Sequence, residues 1–420
     1  MRRKKNCSPF ATPVVDSREG AIRPGELLVE ARVPGEVIEE LRRLGGSEYR
    51  PKDQDRGDWR QRPDAPDYGR LGDRLAETTG LRLWTGFRNG VEVRLARRDG
   101  LHLNHVFFGL DFYQGGPGGP VAPADGPTVR AAAPQVPEDR APDLVVLDTG
   151  LPAAWETWHS ELSPRVQPFS AKGDVDRLDE NRDHYLDHEA GHGLFISGLI
   201  SRVDPELSVD LGRVLYSTGE GDEHLIATYL AEVLNSSVTV VNLSLGAFIP
   251  NNPDPIVADV VRQLIKAGKI VVAAAGNAGD EAAYAEDTMF PASMPEVIAV
   301  GAATTKKRKR EPKNWAKSNP ADVYAPGVDL LSSYVEWAAA PEPTFKLWAS
   351  WTGTSFATPV VAATIARLLK AAPAGTDAQQ LVREWIKSLP ETPWPVKALG
   401  EYGKARMFLP EVDLTRWPTA

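Results

Sequence analysis

Four short apolar runs constrain the larger part of this 420-residue chain more than any other feature: Leu144–Leu147, Val238–Leu243, Ile270–Ala275 and Val297–Gly301. Each is too short for a globular helix, and none alternates cleanly as a half-wetted strand would. Such runs suit a parallel sheet covered on both faces. Helical segments His192–Val203, His224–Leu234, Asp254–Ala267 and Ser355–Leu369 fall between or after them. Strands alternating with helices predict an α/β fold, a parallel sheet sandwiched between helix layers.

The preceding residues read differently. Glu26–Arg32 has the composition of a strand, and Gly35–Leu44 carries Val37, Ile38, Leu41 and Leu44 at helical spacing. A polar insert follows from Ser47 to about Arg74, then β-like runs at Leu81–Phe87, Val91–Leu95 and Leu101–Leu110. Gly, Pro and Ala dominate from Gly115 to Asp143, as in a linker. The expected organisation is a basic tail (1–20), a smaller α+β N-terminal domain (21–116), a linker (117–142), the larger α/β domain (143–410) and a short C-terminal tail (411–420).

Composition narrows the partners. The formal net charge of −9 gives no reason to expect nucleic acid or an anionic membrane. The basic run Lys306–Arg310 reads as a solvated loop. One cysteine, Cys7, excludes an intrachain disulfide framework and a cysteine-rich zinc site. No stretch approaches the ~18 to 20 apolar residues needed to span a bilayer. Arg2, Arg3, Lys4 and Lys5 look like the start of a signal peptide, but no apolar core follows, so the expected location is cytoplasmic. His184 and His188, with Asp183, Asp187 and Glu189, are weak metal candidates in an acidic loop, and no metal or organic cofactor is expected. Trp155 and Trp158 read as packing residues.

Four stretches carry chemistry, each at the end of an apolar run or the start of a helix: Asp148-Thr149-Gly150, Gly191-His192-Gly193, Ala275-Gly276-Asn277 and Gly353-Thr354-Ser355-Phe356-Ala357-Thr358-Pro359. Open parallel sheets gather ligands at the carboxyl ends of their strands, where Asp148 and Asn277 fall. A serine hydroxyl becomes a nucleophile when an imidazole takes its proton, and a carboxylate on the other ring nitrogen fixes the tautomer. An amide can donate to the oxyanion that forms. Taken singly, Asp148 is a turn residue, His192 a packing residue and Asn277 a turn. The seven constrained positions around Ser355 and the order Asp, His, Asn, Ser overturn those readings.

These stretches resemble the subtilisin-like serine proteases, the subtilases, whose triad also runs Asp, His, Ser along the chain. The resemblance extends from about Asp143 to Met407. It implies Asp148 as catalytic aspartate, His192 as general base, Ser355 as nucleophile and Asn277 as oxyanion donor. It further implies that Asn242-Leu243-Ser244-Leu245-Gly246 pairs with extended substrate. Ser244, Leu245 and Gly246 would wall the primary specificity pocket opposite Ala274, Ala275 and Gly276, with Met289 at its base before the Phe290-Pro291-Ala292 landmark. Ala325-Pro326-Gly327 matches a further landmark. Such a pocket favours medium apolar side chains, with Asp280 and Asp287 the residues that could redirect it to bases. Leu194 and Phe195 replace the Thr and His usual in the family, which implies altered packing. Ser201–Leu215 is short and offers no calcium loop.

The implied function is a serine endopeptidase acting on a protein or peptide, with a catalytically degenerate binding module as the alternative. Acid-active serine carboxyl peptidases would need Glu at His192 and Asp at Asn277. The N-terminal region resembles a subtilase propeptide in layout only, which makes intramolecular inhibition one expectation and an accessory domain the other. The first reading expects self-cleavage in the linker between Ala122 and Pro142.

Overall fold

The computed structural model describes residues 14–16, 20–49, 68–88, 90–109, 121–128, 141–169, 174–180, 182–249, 255–277, 289–304, 311–314, 321–338, 343–395 and 402–417. Cys7, the run 306–310, Asp280 and Asp287 lie outside the described residues.

The central sheet runs, in spatial order, Glu311–Asn314, Ile298–Thr304, Ile270–Ala274, Val240–Leu243, Leu144–Asp148, Val209–Arg213 and Val166–Pro168, and Val323–Pro326 also pairs with Ile298–Thr304. All these pairings are parallel except that of Glu311–Asn314. Successive side chains leave a strand on opposite faces, and the core divides accordingly. Leu144, Val146, Val240 and Val272 pack with the helices His192–Val203 and Thr354–Ala371. Val145, Leu147, Val241, Leu243 and Val271 pack with Glu223–Leu234 and Ile256–Lys266. That two-sided burial is why the runs are apolar throughout, and it is the α/β sandwich expected. Leu144–Asp148 is the first strand of this sheet in chain order yet lies in its interior, so the chain turns in opposite directions on either side of it, and its carboxyl end is a natural ligand site.

Toward the N-terminus, Gly20–Glu30 pairs antiparallel with Leu81–Thr85 and Leu101–Gly109, and the helix Gly35–Arg43 closes a small core of Leu27, Leu41, Trp84 and Leu103. Two expectations fail here. Val91–Leu95 is a helical turn, because Gly90 takes a left-handed conformation (φ 86°) and the Glu92 carboxylate accepts its N–H at 3.0 Å. Local turn chemistry overrides the strand preference of the valines. The polar insert gives way to a helix, Tyr68–Thr79, whose Leu75 is fully buried.

Part of the linker also forms structure. Ala122 and Pro123 pair with Ser350 and Ala349, and Trp417 Nε1 donates to the Asp125 carbonyl at 2.6 Å. Near the C-terminus, the Arg202 guanidinium donates to the Leu414, Asp413 and Arg416 carbonyls and stacks on Trp417. No helix among the described residues is long and apolar enough to cross a membrane.

Candidate active site

Asp148 closes its strand with its side chain fully buried, beside the start of the helix that begins at His192. His192 Nδ1 donates to Asp148 Oδ1 at 2.7 Å, and the same oxygen accepts the Thr149 N–H at 2.8 Å. Asp176 holds the two elements in register. Its Oδ2 accepts the Gly191 N–H at 2.7 Å and the Thr149 hydroxyl at 3.1 Å, while Thr149 Oγ1 accepts the Gly193 N–H at 3.1 Å. Burial pushes the Asp176 carboxyl up to about 7 against the pull of the Gly191 and Leu178 N–H bonds. Gly191 is needed at the helix start because its φ is 74°, and a Cβ there would stand 2.8 Å from Val335.

Aromatic rings wall the imidazole. Trp351 meets it edge-on with centroids 5.3 Å apart, and Phe356 lies at 5.0 Å. Phe195, one of the two departures from the family pattern, packs edge-on against Trp351 and Phe356 at 5.7 and 4.9 Å. Its role is therefore packing behind the histidine.

Ser355 lies in the first turn of the helix Thr354–Ala371, fully buried. Its hydroxyl donates to the Ser244 carbonyl at 3.2 Å, and Ser244 Oγ donates back to the Ser355 carbonyl at 2.7 Å. Asn242 Nδ2 donates to Ser244 Oγ at 3.0 Å. Asn277 Oδ1 accepts from the Thr354 N–H at 2.9 Å and the Thr354 hydroxyl at 3.1 Å. A backbone N–H can only donate, so the oxygen must face Thr354, which directs the amide nitrogen of Asn277 the other way.

The expected pocket walls also converge. Leu245–Phe248 forms a strand pairing with Met289–Phe290, and Ala275 and Gly276 extend past Ile270–Ala274. A Cβ on Gly246 would stand 2.5 Å from Met289 Sδ, and one on Gly276 3.3 Å from its Cε. Met289 thus fills the space between the two walls, and both walls are buried.

Sequence reading missed which strand pairs with the Leu245–Gly246 wall. The strand Leu101–Gly109 runs between Glu220–Asp222 and Leu245–Phe248, antiparallel to both, with Phe108 opposite Glu220 and Gly246, and Gly109 opposite Leu245. Phe107 points to Phe290, centroids 6.0 Å apart. Buried polar pairs border the strand: His105 Nδ1 with Glu223 at 2.7 Å, and Arg23 with Glu220 at 3.3 Å. Glu220-Gly221-Asp222 carries no apolar signal, so only its pairing reveals it. Among the described residues no group of three or more His, Cys, Asp or Glu is arranged to hold a metal ion.

Residues 140–393 match the Subtilase family. The chain belongs to the subtilase family. Among relatives, the major intracellular serine protease of Bacillus subtilis (strain 168) is 30% identical over 233 residues, 53% of this chain and 66% of that protein. Subtilisin amylosacchariticus, from Bacillus subtilis subsp. amylosacchariticus, is 29% identical over 58% of this chain and 59% of its own. The chain thus spans less than two thirds of the length of these two subtilases. The crystal structure of fervidolysin from Fervidobacterium pennivorans, a keratinolytic enzyme related to subtilisin, aligns over 99% of this chain and 64% of that one, with a TM-score of 0.61 and 15% identity, a likeness of fold.

Proposed function

We propose that this subtilase is a serine endopeptidase that hydrolyses peptide bonds of a protein or peptide through an acyl-enzyme on Ser355, without metal or organic cofactor. The observation that carries this reading is the 2.7 Å bond from His192 to buried Asp148, in a subtilase whose Ser355 opens a helix beside Asn277. Ser355 Oγ attacks the scissile carbonyl carbon as His192 Nε2 takes its proton. The same proton passes to the leaving amine when the C–N bond breaks, and water repeats the sequence to free the acid. Asp148 fixes the tautomer and stabilises the imidazolium. Asn277 and the Ser355 N–H donate to the oxyanion. A cytoplasmic setting belongs to the proposal, supported by likeness to an intracellular protease.

Substrate backbone pairs with Ser244-Leu245-Gly246, and the side chain before the cut enters between that wall and Ala274-Ala275-Gly276. Met289 yields to medium apolar groups such as Leu, Met or Phe, because an unbranched thioether side chain repacks easily. The N-terminal region is an intramolecular inhibitor, a reading supported by its strand Leu101–Gly109 lying in the groove that substrate would use. That register favours self-cleavage shortly after Gly109, ahead of the Ala122–Pro142 stretch first expected.

Intact-mass measurement of purified wild type and Ser355→Ala, incubated alone and with a peptide library, tests the proposal. Wild type should shorten near residue 110 and cut after apolar residues, and Ser355→Ala should do neither. Equal masses and an uncut library in both would refute it in favour of a binding module.

A further inference from the structure

His192 is flanked by two buried carboxylates, one at each ring nitrogen. Asp148 takes Nδ1. On the other side, Glu189 Oε2 lies 3.6 Å from Nε2, and both side chains are fully buried. The glutamate's backbone is pinned on each side: its N–H donates to the Ser217 carbonyl at 2.8 Å, and its own carbonyl accepts the His192 N–H at 3.1 Å. Tyr334 Oη donates to the Ala190 carbonyl at 2.8 Å, fixing the next residue. The neighbouring acids are engaged elsewhere. Asp176 accepts from Gly191, Thr149 and Leu178, and Asp187 accepts from the Glu180 N–H and the Ser217 hydroxyl. Trp351 and Phe356 supply apolar walls.

A negative charge close to an imidazole favours its protonated form, and the buried Glu189 carboxylate lies close enough to His192 to act in this way. We propose that Glu189 is a positioning residue that acts through His192, stabilising its imidazolium from the Nε2 side. This rests on the triad reading and adds to it. Glu189 takes no proton in the cycle: the Ser355 proton still moves to Nε2 as the Oγ–C bond forms, and on to the amine as the C–N bond breaks. Its negative charge favours the protonated ring, so a free base appears only at higher pH than Asp148 alone would require. The resting enzyme is thereby held in check under mildly acidic conditions.

The test is NMR titration of the His192 imidazole in a Ser355→Ala background, with and without Glu189→Gln, the signal assigned by its loss in His192→Ala. Removing the charge should lower the titration midpoint by on the order of one pH unit. In proteins retaining Ser355, the acid limb of kcat/KM should move down by the same amount. A midpoint unchanged by Glu189→Gln would overturn the proposal. If that variant does not fold, Glu189→Asp serves: its carboxylate retreats from Nε2, so the midpoint should fall by less, and an unchanged value would again overturn it. The titration needs no turnover, so its result is separate from whether the chain hydrolyses peptides.

Discussion

Truncating Trp351 probes the link between packing and chemistry. Its indole is 2% exposed and touches four rings: His192 at 5.3 Å, Phe195 at 5.7 Å, Phe356 at 4.9 Å and Tyr334 at 5.9 Å. Trp→Ala in a core costs about 3 to 5 kcal/mol, through lost transfer energy and the cavity left behind. Ring pairs contribute roughly 0.5 to 1.5 kcal/mol each beyond burial, so four of them put Trp351→Ala near the upper end, about 4 to 5 kcal/mol. The cavity opens directly against the imidazole. A displacement of about 1 Å at such a site lowers turnover by on the order of 10², and the loss should fall on kcat. Denaturant unfolding would measure the first quantity and peptide hydrolysis the second. Trp351→Phe keeps a ring in place and should cost less than half as much in both. A destabilisation below about 1 kcal/mol, or full kcat in Trp351→Ala, would refute the claim that this indole holds the histidine.

Two further outcomes follow from the site. Asn277→Ala should lower kcat by on the order of 10² to 10³ with little change in KM, the loss seen for one oxyanion donor in subtilisin; an effect on KM alone would mean ground-state binding only. For Asp176, a folded value of about 7 against an ordinary 3.8 means the fold binds its proton more tightly than the unfolded chain does. Stability from this group is therefore complete below about pH 4 and declines as pH rises to about 7. The difference in unfolding free energy between wild type and Asp176→Asn should fall across that window, and a difference independent of pH would show the carboxyl to be ionised throughout.

The parallel sheet was legible because burial on both faces forces uninterrupted apolar runs, as at Leu144–Leu147 and Ile270–Ala274. The His192 and Ser355 helices were legible because glycines and a dense motif mark their starts. Other parts left little trace. Val91–Leu95 is β-branched yet helical, since Gly90 and Glu92 settle the turn locally. The helix Tyr68–Thr79 was hidden because charged and polar residues outnumber its leucines, so its first half read as the end of a polar insert. Pairing between residues 106–108 and 220–222 is a matter of long-range register, which no local pattern encodes. Glu189 was noticed only as a weak metal candidate, because its significance depends on which side of the imidazole it faces.

Covalent trapping tests the central claim most directly. Purified protein, before and after incubation that permits self-cleavage, would be treated with a small fluorophosphonate and the adduct mapped by peptide mass spectrometry. A single adduct on Ser355 is predicted after incubation, absent from Ser355→Ala and slow to form in His192→Ala. An adduct that persists in Ser355→Ala, or no adduct on wild type at either stage, would contradict the account.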